Sequence, residues 1–166
     1  WKTIDFIAED DPLFAGRPGI CGQRAANFAQ QNSDWFLAIG ARLDYGQTAF
    51  NPCNIAPRAR KIIVDIDGAE LEKLGNGMDI RLTADAGEFI REFLRQKKAV
   101  SPIHRGAWLS RIAEWRRTYP VITAEHWKLE NAVSQYALLD ILSAEMPPNS
   151  ILVPGSSEAA SEVTCQ

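Results

Sequence analysis

Two short apolar runs and a third stretch read as a strand, each cut off abruptly, constrain this chain more than anything else in it. Trp35-Phe-Leu-Ala-Ile39 stops at Gly40, Lys61-Ile-Ile-Val-Asp-Ile66 runs into Asp67, and residues 78–83 stop before Asp85. A strand with one wet face alternates apolar and polar side chains. A short unbroken apolar run instead suits a strand buried on both faces, as in a parallel sheet.

The segments between the runs have a helical period. From Gln23, the residues Ala25, Phe28 and Ala29 share a face, and the pattern ends near Asn32 and Ser33. Residues 69–74 read as a short helix closed by Gly75-Asn76-Gly77. Asp85 and Glu88 have capping-box spacing, and Phe89, Ile90, Phe93 and Leu94 line the face of the helix that follows. Trp108, Ile112 and Trp115 mark another helix, ended by Pro120. Residues 121–131 have no period and read as a linker. Val133, Tyr136, Ala137, Asp140 and Ile141 then give a helix, residues 150–153 a further strand, and residues 157–166 a final helix. Residues 12–22 hold three glycines and two prolines, so they form a loop, and residues 40–46 and 51–57 are also irregular.

Helices alternating with apolar strands predict an α/β fold: a Rossmann-like, three-layer domain with a parallel sheet flanked by helices. Only three strands precede the linker, whereas sheets average about five or six, so one or two strands are expected to be missing from the front. The chain starts at Trp1 and stops at Gln166 inside a helical pattern, and it reads as truncated at both ends.

Composition excludes several classes. With 18 basic and 21 acidic residues and a net charge of −3, the chain lacks the basic surface that nucleic acid or an anionic membrane requires. Arg91, Arg95, Lys97 and Lys98 read as a solvated helix face. Cys21, Cys53 and Cys165 form no CxxC, so they signal neither zinc nor a dithiol, and their odd number suits a reducing, cytoplasmic compartment. No run of about 20 apolar residues occurs, so neither a membrane span nor a signal peptide is expected.

In open parallel sheets, ligands bind beyond the carboxyl ends of the strands. Gly40, Ala41 and Arg42 follow the first strand, Asp65 and Asp67 end the second, and Asp85 follows the third. Arg42 can form a fork with a phosphate, or pair with Asp44 or another surface carboxylate. Asp65 or Asp67 can take ribose hydroxyls. Asp85 can cap its helix. Gly19 and Gly22 precede a helix and can turn backbone N–H groups toward a phosphate, or simply permit a tight turn. Neither GxGxxG nor GxxxxGK[ST] occurs. His104 and His126 sit outside any nucleophile elbow, and Cys21 reads as a small packed thiol. No catalytic or metal-ligating set emerges from the residues themselves.

Taken in order, Pro12-Leu-Phe-Ala-Gly16, Gly19-Ile-Cys-Gly22, Ala26-Asn27, Asp34-Trp-Phe-Leu-Ala-Ile-Gly-Ala-Arg-Leu43, Ile62-Ile-Val-Asp-Ile-Asp67 and Ala69-Glu-Leu-Glu-Lys73 resemble the central domain of the thiamine-diphosphate enzymes. That family includes acetolactate synthase, pyruvate oxidase, benzoylformate decarboxylase and oxalyl-CoA decarboxylase. The resemblance implies a central domain at 1–120, a linker at 121–132, and the start of the C-terminal cofactor-binding domain at 133–166. It implies a parent enzyme that decarboxylates a 2-keto acid or joins the resulting carbanion equivalent to a carbonyl acceptor.

Thiamine diphosphate and Mg²⁺ would serve the full-length enzyme, which would be a homodimer or homotetramer, and the central domain of some members holds FAD or ADP. The positions resembling the flavin site are Gly19, Gly22, Gly40, Ala41, Arg42, Asp65, Asp67 and Asp85. Gly155, Ser156 and Ser157 resemble the loop that touches the thiamine diphosphate. The chain departs from acetolactate synthase at Leu43-Asp44-Tyr45-Gly46, where that enzyme carries paired aspartates and an arginine. The glutamate and Gly-Asp-Gly motif on which the family's catalysis depends fall outside the sequence, so this piece is expected to be inactive alone. The alternative reading is a stand-alone Rossmann-like module that binds FAD or ADP without catalysis.

Overall fold

The computed structural model describes residues 6–155 and Thr164. The chain divides into two compact units, one made of residues 28–110 and the other of the described residues in 1–27 and 111–166. Helices α1 (Arg24–Asn32) and α5 (Gly106–Thr118) run across the two boundaries.

Residues 28–110 form the expected parallel sheet. Strands β1 (Trp35–Ile39), β2 (Arg60–Asp65) and β3 (Ile80–Thr83) lie side by side in the order β1-β2-β3. Leu37 is level with Ile62, and Val64 with Leu82. Both pairs are parallel, so all three carboxyl ends fall on one edge. This is a Rossmann-like α/β arrangement with flanking helices. The core forms where the apolar runs meet those helices: Ala38, Leu43, Ile55, Ile63, Leu71, Leu74 and Met78 pack together, with Phe36 against them. Ile63 and Val64 at the centre of β2 are fully buried.

Helices start where carboxylates meet bare N–H groups. Asp67 accepts from the Ala69 N–H and opens α3 (Gly68–Lys73), while Asp85 accepts from the Glu88 N–H and opens α4 (Ala86–Arg95). Asp44 does the same for the single turn α2 (Tyr45–Thr48), inside a segment that the sequence leaves irregular. One short polar side chain, placed before three residues without proline, was the signal for that turn.

Several boundaries shift. β2 begins and ends one residue earlier than the apolar run, which leaves Ile66 exposed. β3 starts at Ile80 because a 3-10 turn at Gly75–Gly77 consumes the approach and buries Met78 before the strand begins. The apolar face of α4 also differs from expectation. Phe89 and Phe93 stack with centroids 5.9 Å apart, yet Ile90, Phe93 and Leu94 stay largely exposed and no residue of α4 is fully buried.

In the other unit, residues 121–131, expected to be a linker, contain a 3-10 turn at Ala124–Trp127, closed by reciprocal bonds between Thr123 and His126. The His126 ring stacks on Tyr136 of α6 (Gln135–Glu145), 4.4 Å away and within 5° of parallel. Arg116 ties α5 to the N-terminal segment through the carbonyls of Phe14 and Glu9. These elements border a cavity of about 630 Å³, lined among others by Arg17, Tyr119, Ile122, Tyr136, Leu142 and Met146.

The strand expected at residues 150–153 does not form. Residues 151–155 are irregular, with Ile151 and Val153 in solvent. No strand among the described residues pairs with this run, and an unpaired apolar run does not make a sheet. The expected final helix lies outside the described residues except at Thr164, which is helical. Among the described residues, no helix is long and apolar enough to cross a membrane.

Candidate functional site

The carboxyl edge of the sheet gathers six of the residues singled out from the sequence. Gly40 continues β1 by one bond, its N–H donating to the Val64 carbonyl at 2.8 Å. The Ala84 N–H donates to the Asp65 carbonyl at 3.0 Å, which places the start of α4 beside the end of β2. Gly40 has φ +59, and a Cβ built on it would lie 3.4 Å from the Cβ of Ala86. The turn after β1 and the first residue of α4 therefore approach each other across the end of the middle strand.

Arg42 sits in this turn with φ +60, followed by Leu43 at φ +49. Left-handed backbone costs an ordinary residue about 1–3 kcal/mol, so neighbouring contacts must hold both in place. Leu43 is locked in the core. Arg42 is held from outside: its Nε lies 2.9 Å from Glu70 Oε1 on α3, Glu70 also pairs with Lys73, and the Lys73 ammonium donates to the Arg42 carbonyl at 3.2 Å. This ring of contacts keeps the Glu70 carboxylate more acidic than usual. The Lys73 hydrogen bond contributes most, burial opposes it, and the charges of Lys73 and Arg42 add smaller effects in the same direction as that bond. The partner of Arg42 was open between Asp44 and other carboxylates; it is Glu70. The Glu70–Lys73 spacing on a helix was the one legible sign of it.

The acidic residues of this edge face their own backbone. Asp65 accepts from the Asp67 N–H at 3.0 Å, Asp67 from Ala69 at 2.9 Å and Asp85 from Glu88 at 2.9 Å. Each carboxylate retains acceptor capacity for a ligand hydroxyl. The Ala41 carbonyl accepts from the Leu43 N–H at 2.6 Å. Gln47, one turn on, has its Oε1 buried without a hydrogen-bond partner.

Gly19 and Gly22 belong to the other unit. The side-chain amide of Asn27 brackets Gly19, accepting from its N–H and donating to its carbonyl, both at 2.9 Å. The Gly22 N–H donates to the Gly19 carbonyl, and the Gln23 N–H to the Arg17 carbonyl. A Cβ on Gly22 would come within 2.5 Å of the Arg17 carbonyl oxygen, so this position admits glycine alone. The tight-turn role is present. Gly155 is exposed with open space around it, while Ser156 and Ser157 lie outside the described residues. Among the described residues, no three His, Cys, Asp or Glu side chains converge to hold a metal ion.

Comparison with known proteins bears directly on this edge. The family model described as thiamine pyrophosphate enzyme, central domain, matches residues 1–93, a span that includes all three strands, their carboxyl edge and the Gly19–Gly22 turn. The chain is 36% identical to a probable acetolactate synthase large subunit of Methanocaldococcus jannaschii over 109 residues, covering 66% of this chain and 18% of that protein. It is 28% identical over 153 residues to the isozyme 1 large subunit of Escherichia coli acetolactate synthase, covering 90% of this chain and 25% of that protein. It is 41% identical over 73 residues to the isozyme 2 large subunit of the same organism, covering 44% of this chain and 13% of that protein. The chain thus spans about a fifth of the length of such relatives.

Proposed function

The chain belongs to the thiamine pyrophosphate enzyme family through its central domain, and from that premise we propose that it is part of an acetolactate synthase-like, thiamine-diphosphate-dependent enzyme acting on a 2-keto acid. The observation that carries this reading is the match over residues 1–93, which spans the whole parallel sheet together with the Gly40–Ala86 junction. Residues 121–132 would link this domain to the start of a cofactor-binding domain at 133–166. The parent would decarboxylate the keto acid or transfer the resulting acyl-anion equivalent to a carbonyl acceptor.

Thiamine diphosphate supplies the electron sink for such chemistry when bound. The described residues do not fit its Mg²⁺-diphosphate site, since no cluster of metal-capable side chains occurs among them. The part played by this piece is therefore architectural: the sheet sets the spacing of the domains that hold the cofactor. Its strand ends fit a nucleotide better, with Arg42 near the phosphates and Asp65 or Asp67 near ribose, the arrangement in which some family members hold FAD or ADP.

The test is direct. The purified chain, given pyruvate, thiamine diphosphate and Mg²⁺, is expected to release neither CO₂ nor acetolactate above a blank. Turnover by this chain alone would overturn the architectural role.

A further inference from the structure

The net charge of −3 averages over an uneven distribution. Residues 91–98 hold four basic side chains and one acidic one, whereas the rest of the sequence holds 14 basic and 20 acidic. Those five charges lie on α4 and on the 3-10 turn that continues it at Lys97–Ala99. Glu92 is already engaged, accepting two hydrogen bonds from Arg95 at 2.8 and 2.6 Å. Arg91, Lys97 and Lys98 make no ion pair with any described residue. Three uncompensated cations therefore stand together in a chain that is otherwise acidic.

An apolar ridge runs beside them. Phe93 and Leu94 follow Ile90 by three and four residues, so the three share a helix face. They are 43%, 56% and 44% exposed. Arg91 and Arg95, each one residue further on, form the next row round the helix. The ridge is not drawn into the core, since no residue of α4 is fully buried. Val100, just past the 3-10 turn, is exposed as well. Single apolar side chains on a surface need no explanation, but an aligned group marks a contact surface.

We propose that α4 and the turn after it dock this chain on an anionic lipid surface. The helix lies in the plane of the surface, and Ile90, Phe93 and Leu94 enter the boundary between headgroups and acyl chains. Arg91, Lys97 and Lys98 stay at the level of the lipid phosphates, because their long apolar stems let the charge reach back to water. Each such cation strengthens binding about fivefold at low salt. Nucleic acid would use the cations and leave the ridge in water. A protein partner would have to present an apolar groove rimmed with acid, whereas an anionic bilayer offers both layers everywhere on its surface. The proposal does not depend on the chemistry of the parent enzyme.

Sedimentation of the chain with phosphatidylcholine vesicles, with and without phosphatidylserine, tests it. The chain is expected to pellet with the phosphatidylserine vesicles, to stay in solution with phosphatidylcholine alone, and to be released by high salt. Lys97→Gln together with Lys98→Gln weakens binding about fivefold for each charge removed. Leu94→Gln weakens it at unchanged charge. Arg58→Gln, which removes a charge from an exposed position elsewhere, leaves binding as it was. Unchanged melting shows that the variants fold, and the lysine pair, lying beyond α4, keeps the test intact if Leu94→Gln does not. The proposal is overturned if phosphatidylserine vesicles do not bind the chain, or if the lysine double variant binds as the native chain does. It is also overturned if immobilised polyglutamate retains the chain where the vesicles do not, which would assign the face to an acidic protein.

Discussion

Gly40 and Ala86 belong to different strand–helix junctions, yet a Cβ on Gly40 would stand 3.4 Å from the Cβ of Ala86. That distance is ordinary contact, so an added methyl group fits. The cost of Gly40→Ala therefore comes from φ +59, and it amounts to about 1–2 kcal/mol for an L-residue held left-handed. Denaturant unfolding of the Gly40→Ala variant measures it. An unchanged midpoint would mean that the turn relaxes out of the left-handed region and that the junction is not fixed.

Helices α3 and α4 each begin on one aspartate. Replacing Asp67 or Asp85 by Ala removes an N-terminal cap and costs about 1 kcal/mol each, while Asn at either position keeps most of the bond. The two losses should add, because the caps serve different helices and share no partner. Thermal melting of the single and double variants checks both size and additivity.

The Glu70 network predicts a pH response with a definite sign. In the folded chain this carboxyl is more acidic than its ordinary 4.5, chiefly through Lys73. A carboxylate of lowered pKa stabilises the fold at every pH above 4.5, and its contribution is lost as the pH falls through the lower folded value. Melting temperature measured downward from about pH 5 should fall less steeply in Glu70→Gln than in the native chain, and high salt should shrink the difference. Identical slopes would mean that the Arg42–Glu70–Lys73 ring does not persist in solution.

How much of this was legible beforehand depends on the range of the interaction. The strands around Leu37 and Ile63 were readable because a strand in the middle of a parallel sheet writes itself into a continuous apolar run. The Asp85 cap was readable because its partner is three residues away. The Arg42–Glu70 pair was not, since its members are far apart in sequence and meet only once β1 and α3 are in place. The left-handed Leu43, Ala49 and Phe50 had no signal at all: nothing in an apolar or small residue announces positive φ, which glycine and asparagine normally supply. Residues 150–153 misled for the opposite reason, because an apolar run predicts a strand only when a neighbour exists to pair with it.

Gln47 carries a buried acceptor with no partner. An unsatisfied buried polar atom costs about 1–3 kcal/mol, and an apolar group of similar shape removes the penalty. Gln47→Met should therefore raise stability by about 1 kcal/mol, read as a higher denaturation midpoint without a change in slope. A loss of stability would mean that an ordered water occupies the site in solution.

The contrast between β2 and α4 yields the last prediction. Ile63 has no exposed surface and sits in the middle strand, so Ile63→Ala opens a cavity that the sheet cannot close, at a cost of about 2–5 kcal/mol. Phe93 is 43% exposed, and its defined contact is the stack on Phe89, a pair worth about 0.5–1.5 kcal/mol. Phe93→Gln should therefore cost about 1 kcal/mol in the chain by itself, although the sequence pattern ranks both residues as core. If Phe93→Gln proves as damaging as Ile63→Ala, the apolar face of α4 is covered in solution, and the exposure of Ile90, Phe93 and Leu94 is not a property of the folded chain.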